Sequence, residues 1–376
     1  MMPLCLTRHT QKEILSLNGL RGIAILLVLL YHNFAYFQIT YFGWVGVDLF
    51  FVLSGFLITR ILLSAKESDH YFKNFYIRRA LRIFPLYYLS ILIFLFIEHA
   101  LPLPATMSFS NHLDFYLSYF QNLLYFQKSD QPLGHSILNH LWSLSVEEHF
   151  YILWPWLVFY LTEKQLIRTG VIIIVASKVL SLILFNREMS WVTVYTFSFV
   201  RFETLMMGAL LAILISYRVN LIEKYTKWIF ALSGILILAF LGYYIAVTRS
   251  LSILNPDECV FMSQSFILTT IALFFSSVLV FALADNKFEK LLSSNTLIFL
   301  GKYSYGIYIF HYPIYYIAIY YFHRYTASSL SFDWLTEILI SLACSCLALC
   351  VAYISYNYYE KYFLSLKSKF PNKISV

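Results

Sequence analysis

Charged side chains are what this chain has least of. They make up 12% of its 376 residues, where a soluble domain carries about 25%. Apolar residues make up 60%, and the mean hydropathy is +0.69. One water-soluble core of this size does not enclose that much apolar surface, so an ordinary soluble domain is excluded and lipid is the solvent for much of the chain. Cysteine is scarce too. Cys5, Cys259, Cys344, Cys346 and Cys350 include no Cys-x-x-Cys pair, and the last three share one apolar stretch. Neither a disulfide framework nor a zinc site is suggested, and no metal is expected. No small-residue cleavage site follows the first apolar run, which therefore reads as a retained span rather than a signal peptide. The net charge of +7 does not amount to a nucleic-acid surface, because Lys and Arg are sorted by loop instead of clustered on one face. Aromatic residues are abundant, at 19% with 31 Tyr and 35 Phe, and suit interfacial belts and helix packing.

Apolar runs near the ~20 residues that cross a bilayer recur along the whole chain. They predict an all-α integral membrane protein with ten spans, at 15–37, 43–63, 82–101, 140–162, 169–185, 200–217, 228–247, 264–284, 303–322 and 335–357. Residues 1–376 read as one transmembrane domain with no fused soluble domain. The longest gap, about 102–139, holds Pro102, Pro104 and an aromatic segment from Phe115 to Phe126 that either lies in the interface or re-enters. Lys/Arg bias sets the orientation. With the N-terminus cytoplasmic, the outside segments hold only Lys128, Arg187, Arg249 and Arg324, whereas the inside segments hold most of the other Lys and Arg, from Arg8 and Lys12 to Lys373. Both termini are then inside, as an even span count requires. Glycines 19, 22, 43, 46, 55, 208, 301 and 306 suit close helix approach.

Ionisable side chains at membrane depth are costly and by default functional. The first span carries Arg21 and His32, roughly 16 Å apart along the axis at 1.5 Å per residue. His32, Asp48 and the Glu147/Glu148 pair come from three spans yet fall at a similar depth in the outer half. An imidazole can take a hydroxyl proton near neutral pH, and a carboxylate on its other nitrogen would hold the tautomer. His32 is the candidate base, with Asp48, Glu147 or Glu148 as the orienting partner. The competing reading is a structural polar network between helices. On the inner side, Arg78, Arg79 and Arg82 gather near the depth of Arg21 and Arg60. Positive-inside anchoring explains them in part, but Arg79 and Arg82 share a helix face and Arg21 lies within an apolar run. Guanidinium forks match phosphate oxygens, so a phosphorylated cofactor entering from the cytoplasm suits them. His311, beside Pro313, either lines the same cavity or bonds a neighbouring helix; Arg201 and Glu203 either pair with each other or face a polar acceptor.

These residues sit in segments that resemble the membrane-bound acyltransferase-3 family of bacterial O-acyltransferases. The matching stretches are Leu17-Asn18-Gly19-Leu20-Arg21-Gly22 with His32, Gly43-Trp44-Val45-Gly46-Val47-Asp48 running on to Ile58, and Phe75-Tyr76-Ile77-Arg78-Arg79-Ala80-Leu81-Arg82 running on to Tyr87. Leu141-Trp142-Ser143-Leu144-Ser145-Val146-Glu147-Glu148-His149-Phe150-Tyr151, Gly301-Lys302-Tyr303-Ser304-Tyr305-Gly306 and His311-Tyr312-Pro313 complete the order. The family usually has Gln at the place of His149. The resemblance implies transfer of an acyl group, most often acetyl, from cytoplasmic acyl-CoA to a hydroxyl of a glycan outside or at the bacterial inner membrane. It implies no permanently bound cofactor; acyl-CoA is the donor substrate, and a carbohydrate or glycolipid and the membrane lipids are the partners. O-antigen, exopolysaccharide, peptidoglycan, a Nod-factor-like signal and a macrolide-type product all suit it as acceptors. By similarity Arg21, His32, Arg79, Arg82, Ser145 and Glu148 are the expected functional positions, with His32 acting either as base or as a transient acyl carrier. Some members carry a further span and an extracytoplasmic esterase-like domain, whereas this chain looks like a stand-alone version. A proton-coupled transporter of a glycan or small metabolite is the rival from another class, although no inverted repeat is visible.

Overall fold

In a bilayer each spanning segment must satisfy its own backbone, so long apolar runs become helices. A computed structural model describes residues 15–126, 136–248, 261–284, 287–326 and 334–371, and no β-strand occurs among them. In chain order the helices are α1 (Leu15–Asn33), α2 (Val45–Ala65), α3 (Tyr71–Ala100), the short α4 (Leu113–Leu117), α5 (Trp142–Tyr160), α6 (Glu163–Asn186), the short α7 (Trp191–Thr196), α8 (Ser198–Thr248), α9 (Phe261–Leu283), the short α10 (Lys287–Leu292), α11 (Asn295–Thr326) and α12 (Trp334–Ser355). Among the described residues seven helices are long and apolar enough to cross a membrane. The protein is a helical, multi-pass membrane protein.

All ten expected spans fall on helix. Those at 200–217 and 228–247 are the two arms of α8, which breaks at Arg218 (φ −139°, ψ 39°). α5 and α11 are not among the seven apolar helices; polar residues such as Glu147, Glu148 and His311 interrupt their apolar runs. α3 starts eleven residues earlier than expected. Hydropathy stops at Arg82, but Lys and Arg are good helix formers whose heads reach the polar region, so the helix continues through them. Arg8, Lys12, Lys128, Arg249, Lys373, Cys5 and Cys259 lie outside the described residues.

Two backbone contacts set the centre of the bundle. A Cβ at Gly55 would sit 1.8 Å from the Leu205 carbonyl oxygen, and one at Gly208 would sit 2.0 Å from that of Val52. α2 and α8 therefore touch backbone to backbone, each through the other's glycine. Gly301 on α11 meets the Asn18 carbonyl of α1 in the same way, at 1.8 Å.

The described residues between α3 and α5 pack against the helices. Glu98, near the end of α3, accepts from Ser108 Oγ (2.5 Å), Ser110 Oγ (2.6 Å) and the Phe109 amide (3.1 Å). Tyr87 donates to the Tyr116 carbonyl at 2.7 Å, Gln121 to that of Leu141 at 2.8 Å, and Tyr116, Tyr119 and Leu124 are buried. These contacts bury the described part of the segment against the helices. α5 accordingly starts on buried residues, from Trp142 to Val146.

Candidate active site

His32, in the last turn of α1, lines a cavity of about 1650 Å³ together with Tyr31, Tyr41, Trp44, Trp142, Trp191, Tyr195, Tyr308 and Tyr312. Behind it lies His311, fully buried on α11. His311 Nδ1 is 2.8 Å from the Tyr308 carbonyl oxygen and 3.1 Å from that of Ile307. Carbonyls only accept, so Nδ1 carries the proton, and in the neutral ring Nε2 carries the lone pair. His32 Nδ1, 2.9 Å from His311 Nε2, is then the donor. That leaves His32 Nε2 unprotonated, the form that a base or a nucleophile needs. One histidine thus holds another's tautomer, the task that a carboxylate performs in a Ser-His-Asp triad.

A second cavity, about 830 Å³, is lined by Arg21, Arg79, Arg82, Ser54, Glu147 and Tyr151 among others. Arg79 and Arg82, three residues apart on α3, reach it together, as their common helix face requires. Neither makes an ion pair among the described residues. The Arg79 guanidinium lies 5.9 Å from the Tyr151 ring centroid, and Arg21 donates to Asn18 Oδ1 at 3.0 Å. The ammonium of Lys367, from the segment after α12, lies in the field of Arg82, Arg79, Arg78 and Arg21. Such a cluster can hold a polyanion by charge-assisted hydrogen bonds. Val47 and Tyr308 line both cavities and stand between them. The Tyr308 hydroxyl donates to the His140 carbonyl at 2.8 Å and lies 2.6 Å from Ser143 Oγ, so the partition is tied to the start of α5.

Several expected placements change. Asp48 does not orient His32. It is fully buried and pairs with Arg201, whose guanidinium also lies 4.6 Å from the Tyr195 ring centroid. Glu203 pairs with Lys178 (2.9 Å) and accepts from Thr269 rather than meeting Arg201. These contacts link α2, α6, α8 and α9. Glu147 faces the arginine cavity instead of His32, and Glu148 lies close to Arg79 and Glu147. Both glutamates lie away from the expected level because α5 begins at the level of the histidines, so a residue two turns in is already at the level of the arginines. One residue along a helix is a turn of about 100°, so Arg78 points away from the cavity that Arg79 lines; its Nη1 donates to the carbonyls of Lys367 (2.8 Å) and Phe370 (2.9 Å). Ser145 is buried, lines neither cavity and has no hydrogen-bond partner for its hydroxyl among the described residues. His149 bonds Ser198 Oγ at 2.6 Å, a local tie to the start of α8.

Three residues of the site carry no local signal in the sequence. His140 lines the histidine cavity and Tyr308 divides the two cavities, while Lys367 approaches the arginines. His140 stood at the expected edge of a span, where a histidine reads as interfacial. Tyr308 was one tyrosine among 31, and nothing local marks a tyrosine as a partition. Lys367 looked like ordinary inside charge.

Comparison with known proteins places this geometry. Residues 14–357 match a family model described as an acyltransferase domain. The peptidoglycan O-acetyltransferase OatA of Listeria monocytogenes is 32% identical over 326 residues, covering 82% of this chain and 50% of that protein. The putative peptidoglycan O-acetyltransferase YrhL of Bacillus subtilis is 32% identical over 333 residues, with 82% and 49% covered. The O-acetyltransferase OatA of Staphylococcus aureus is 28% identical over 322 residues, with 81% and 51% covered. The chain spans about half the length of these curated relatives. No solved structure matches it.

Proposed function

Because this chain belongs to the acyltransferase-domain family, we propose that it is an O-acyltransferase of a bacterial inner membrane, with ten spans and cytoplasmic termini, that moves an acyl group from cytoplasmic acyl-CoA to a hydroxyl of an envelope glycan. Acetyl is the acyl group and peptidoglycan the acceptor that the names of the similar proteins favour. The observation that carries the reading is the pair of cavities separated by Tyr308 and Val47, one bearing arginines and the other the His32–His311 pair. Arg21, Arg79, Arg82 and Lys367 suit the phosphates of CoA. The pantetheine arm is long and uncharged, and it suits the passage past Tyr308 toward His32. His32 Nε2 then either deprotonates the acceptor hydroxyl or carries the acyl group in transit. Among the described residues, the lining of the histidine cavity contains no Lys, Arg, Asp or Glu. Aromatic faces without charge favour an uncharged sugar ring over an acidic one, since a carboxylate there would be desolvated with no cation to meet it.

The test is direct. Purified protein is incubated with acetyl-CoA carrying an isotopic label in the acetyl group and with muropeptides released from peptidoglycan, and products are read by mass spectrometry. Label on a sugar hydroxyl, lost in His32→Ala and reduced in Arg79→Ala through a raised KM for acetyl-CoA, is the expected result. No CoA release, with or without acceptor, would sink the reading.

A further inference from the structure

His140 stands apart from the His32–His311 pair. It lies in the 3-10 turn Asn139–Leu141 ahead of α5 and is 3% exposed. Its ring is enclosed by those of Tyr312, His311 and Tyr308, with centroids 5.1, 5.3 and 5.4 Å away. Its carbonyl accepts from Tyr308, so its backbone is held as well. Yet neither ring nitrogen has a hydrogen-bond partner among the described residues. The carbonyls of Ile309, which Pro313 deprives of its helical donor, and of Tyr308 both lie near enough to act on the ring, but neither completes a hydrogen bond with it. A ring needed only to fill space among three aromatic neighbours would do better without polar nitrogens. His140 lines the same cavity as His32, and Tyr312 stands beside both, 5.0 Å from the His32 ring.

We infer that His140 is the base for the acceptor: it takes the hydroxyl proton as the glycan oxygen attacks an acyl group carried on His32. The inference rests on the acyl-transfer reading and selects one of its two routes. In the first half, His32 Nε2 attacks the thioester carbonyl. The C–N bond forms, the C–S bond breaks, sulfur leaves as thiolate, and the His32 Nδ1 proton passes to His311 Nε2. The lone pair left on His32 Nδ1 then accepts from the protonated His311 Nε2, so neither histidine can take the hydroxyl proton and a second base is required. In the second half His140 accepts the hydroxyl proton while the O–C bond forms and the C–N bond breaks. The electron pair returns to His32, and His311 hands its proton back to Nδ1. The proton on His140 leaves to water, matching the one that the thiolate takes up from water at the other cavity.

His140→Ala and His140→Asn, purified beside wild type, separate the halves. First-turnover CoA release from acetyl-CoA alone is expected to stay close to wild type in both, with an acetyl adduct accumulating on His32. Transfer to soluble muropeptides is expected to fall ~100-fold or more, and added imidazole is expected to restore it in His140→Ala. Transfer at the wild-type rate in both variants overturns the inference. So does joint loss of the two halves in both variants, including loss through misfolding seen by size exclusion, because either assigns His140 to the scaffold. Wild type that releases CoA and acetylates the muropeptides without any His32 adduct also overturns it, while the transfer reading survives. Wild type that releases no CoA refutes the transfer reading itself.

Discussion

A histidine that works as base or nucleophile must present one nitrogen bare, and something has to hold the other. Here that partner is His311, reached across 279 positions of sequence. His311→Ala is expected to lower kcat for acetyl transfer roughly 100-fold, a size typical of removing the partner that orients a working histidine. KM for acetyl-CoA should be almost unchanged, because the arginine cavity is untouched; steady-state kinetics separate the two. Asp48 makes the contrasting case. Leaving Arg201 buried without its carboxylate costs about 3–5 kcal/mol, so Asp48→Asn should lower both folded yield and thermal midpoint in detergent. Asp48→Leu combined with Arg201→Met should recover most of that stability and retain acetyl-CoA turnover. A stable but inert double variant would instead return Asp48 to the reaction. The sequence shows which residues are out of place in lipid, since a charge in an apolar run is visible locally. It does not show which of them meet. His32 and Asp48 share a depth yet point to different helices, and depth read along one helix carries no angle around the bundle.

At the scale of helices much was legible, because the bilayer imposes a length that composition displays directly. Each expected span lies on helix. The departures fall where charge and helix part company, as at α3, and where non-apolar chain is buried by protein instead of exposed to lipid, as between α3 and α5. The latter shift moved Glu147 and Glu148 from the histidine level to the arginine level, an error inherited from a loop rather than from the glutamates. The glycines were legible as points of close approach, and the α2–α8 contact makes that testable. Gly208→Val should collapse the yield of monodisperse protein, because the obstructing atom is the backbone oxygen of Val52 and cannot rotate away. Gly242→Val, on the same helix, places its Cβ in open space and should be tolerated. Equal yields from the two would refute the backbone contact as a determinant of the bundle.

Across the whole molecule the two cavities meet only at Tyr308 and Val47. In sealed vesicles, acetyl-CoA supplied on the arginine side alone should support transfer, and acetyl-CoA supplied only on the histidine side should not. Tyr308→Ala, which removes the ring and its bonds to the start of α5, should raise CoA release in the absence of acceptor, as water reaches the thioester from the histidine cavity. Release unchanged from wild type would show that Tyr308 is not the barrier. The partition also has an electrical meaning. A bilayer at 100 mV holds about 2.3 kcal/mol for each elementary charge moved across it. CoA is highly charged and an acetyl group is neutral, so in the proposed transfer a wall that kept the nucleotide on one side and passed only the acyl group would let the cargo cross without work against the membrane potential. The same wall would deny protons and ions a continuous wet path, and a cell could then keep many copies of such a protein in an energised membrane without discharging it.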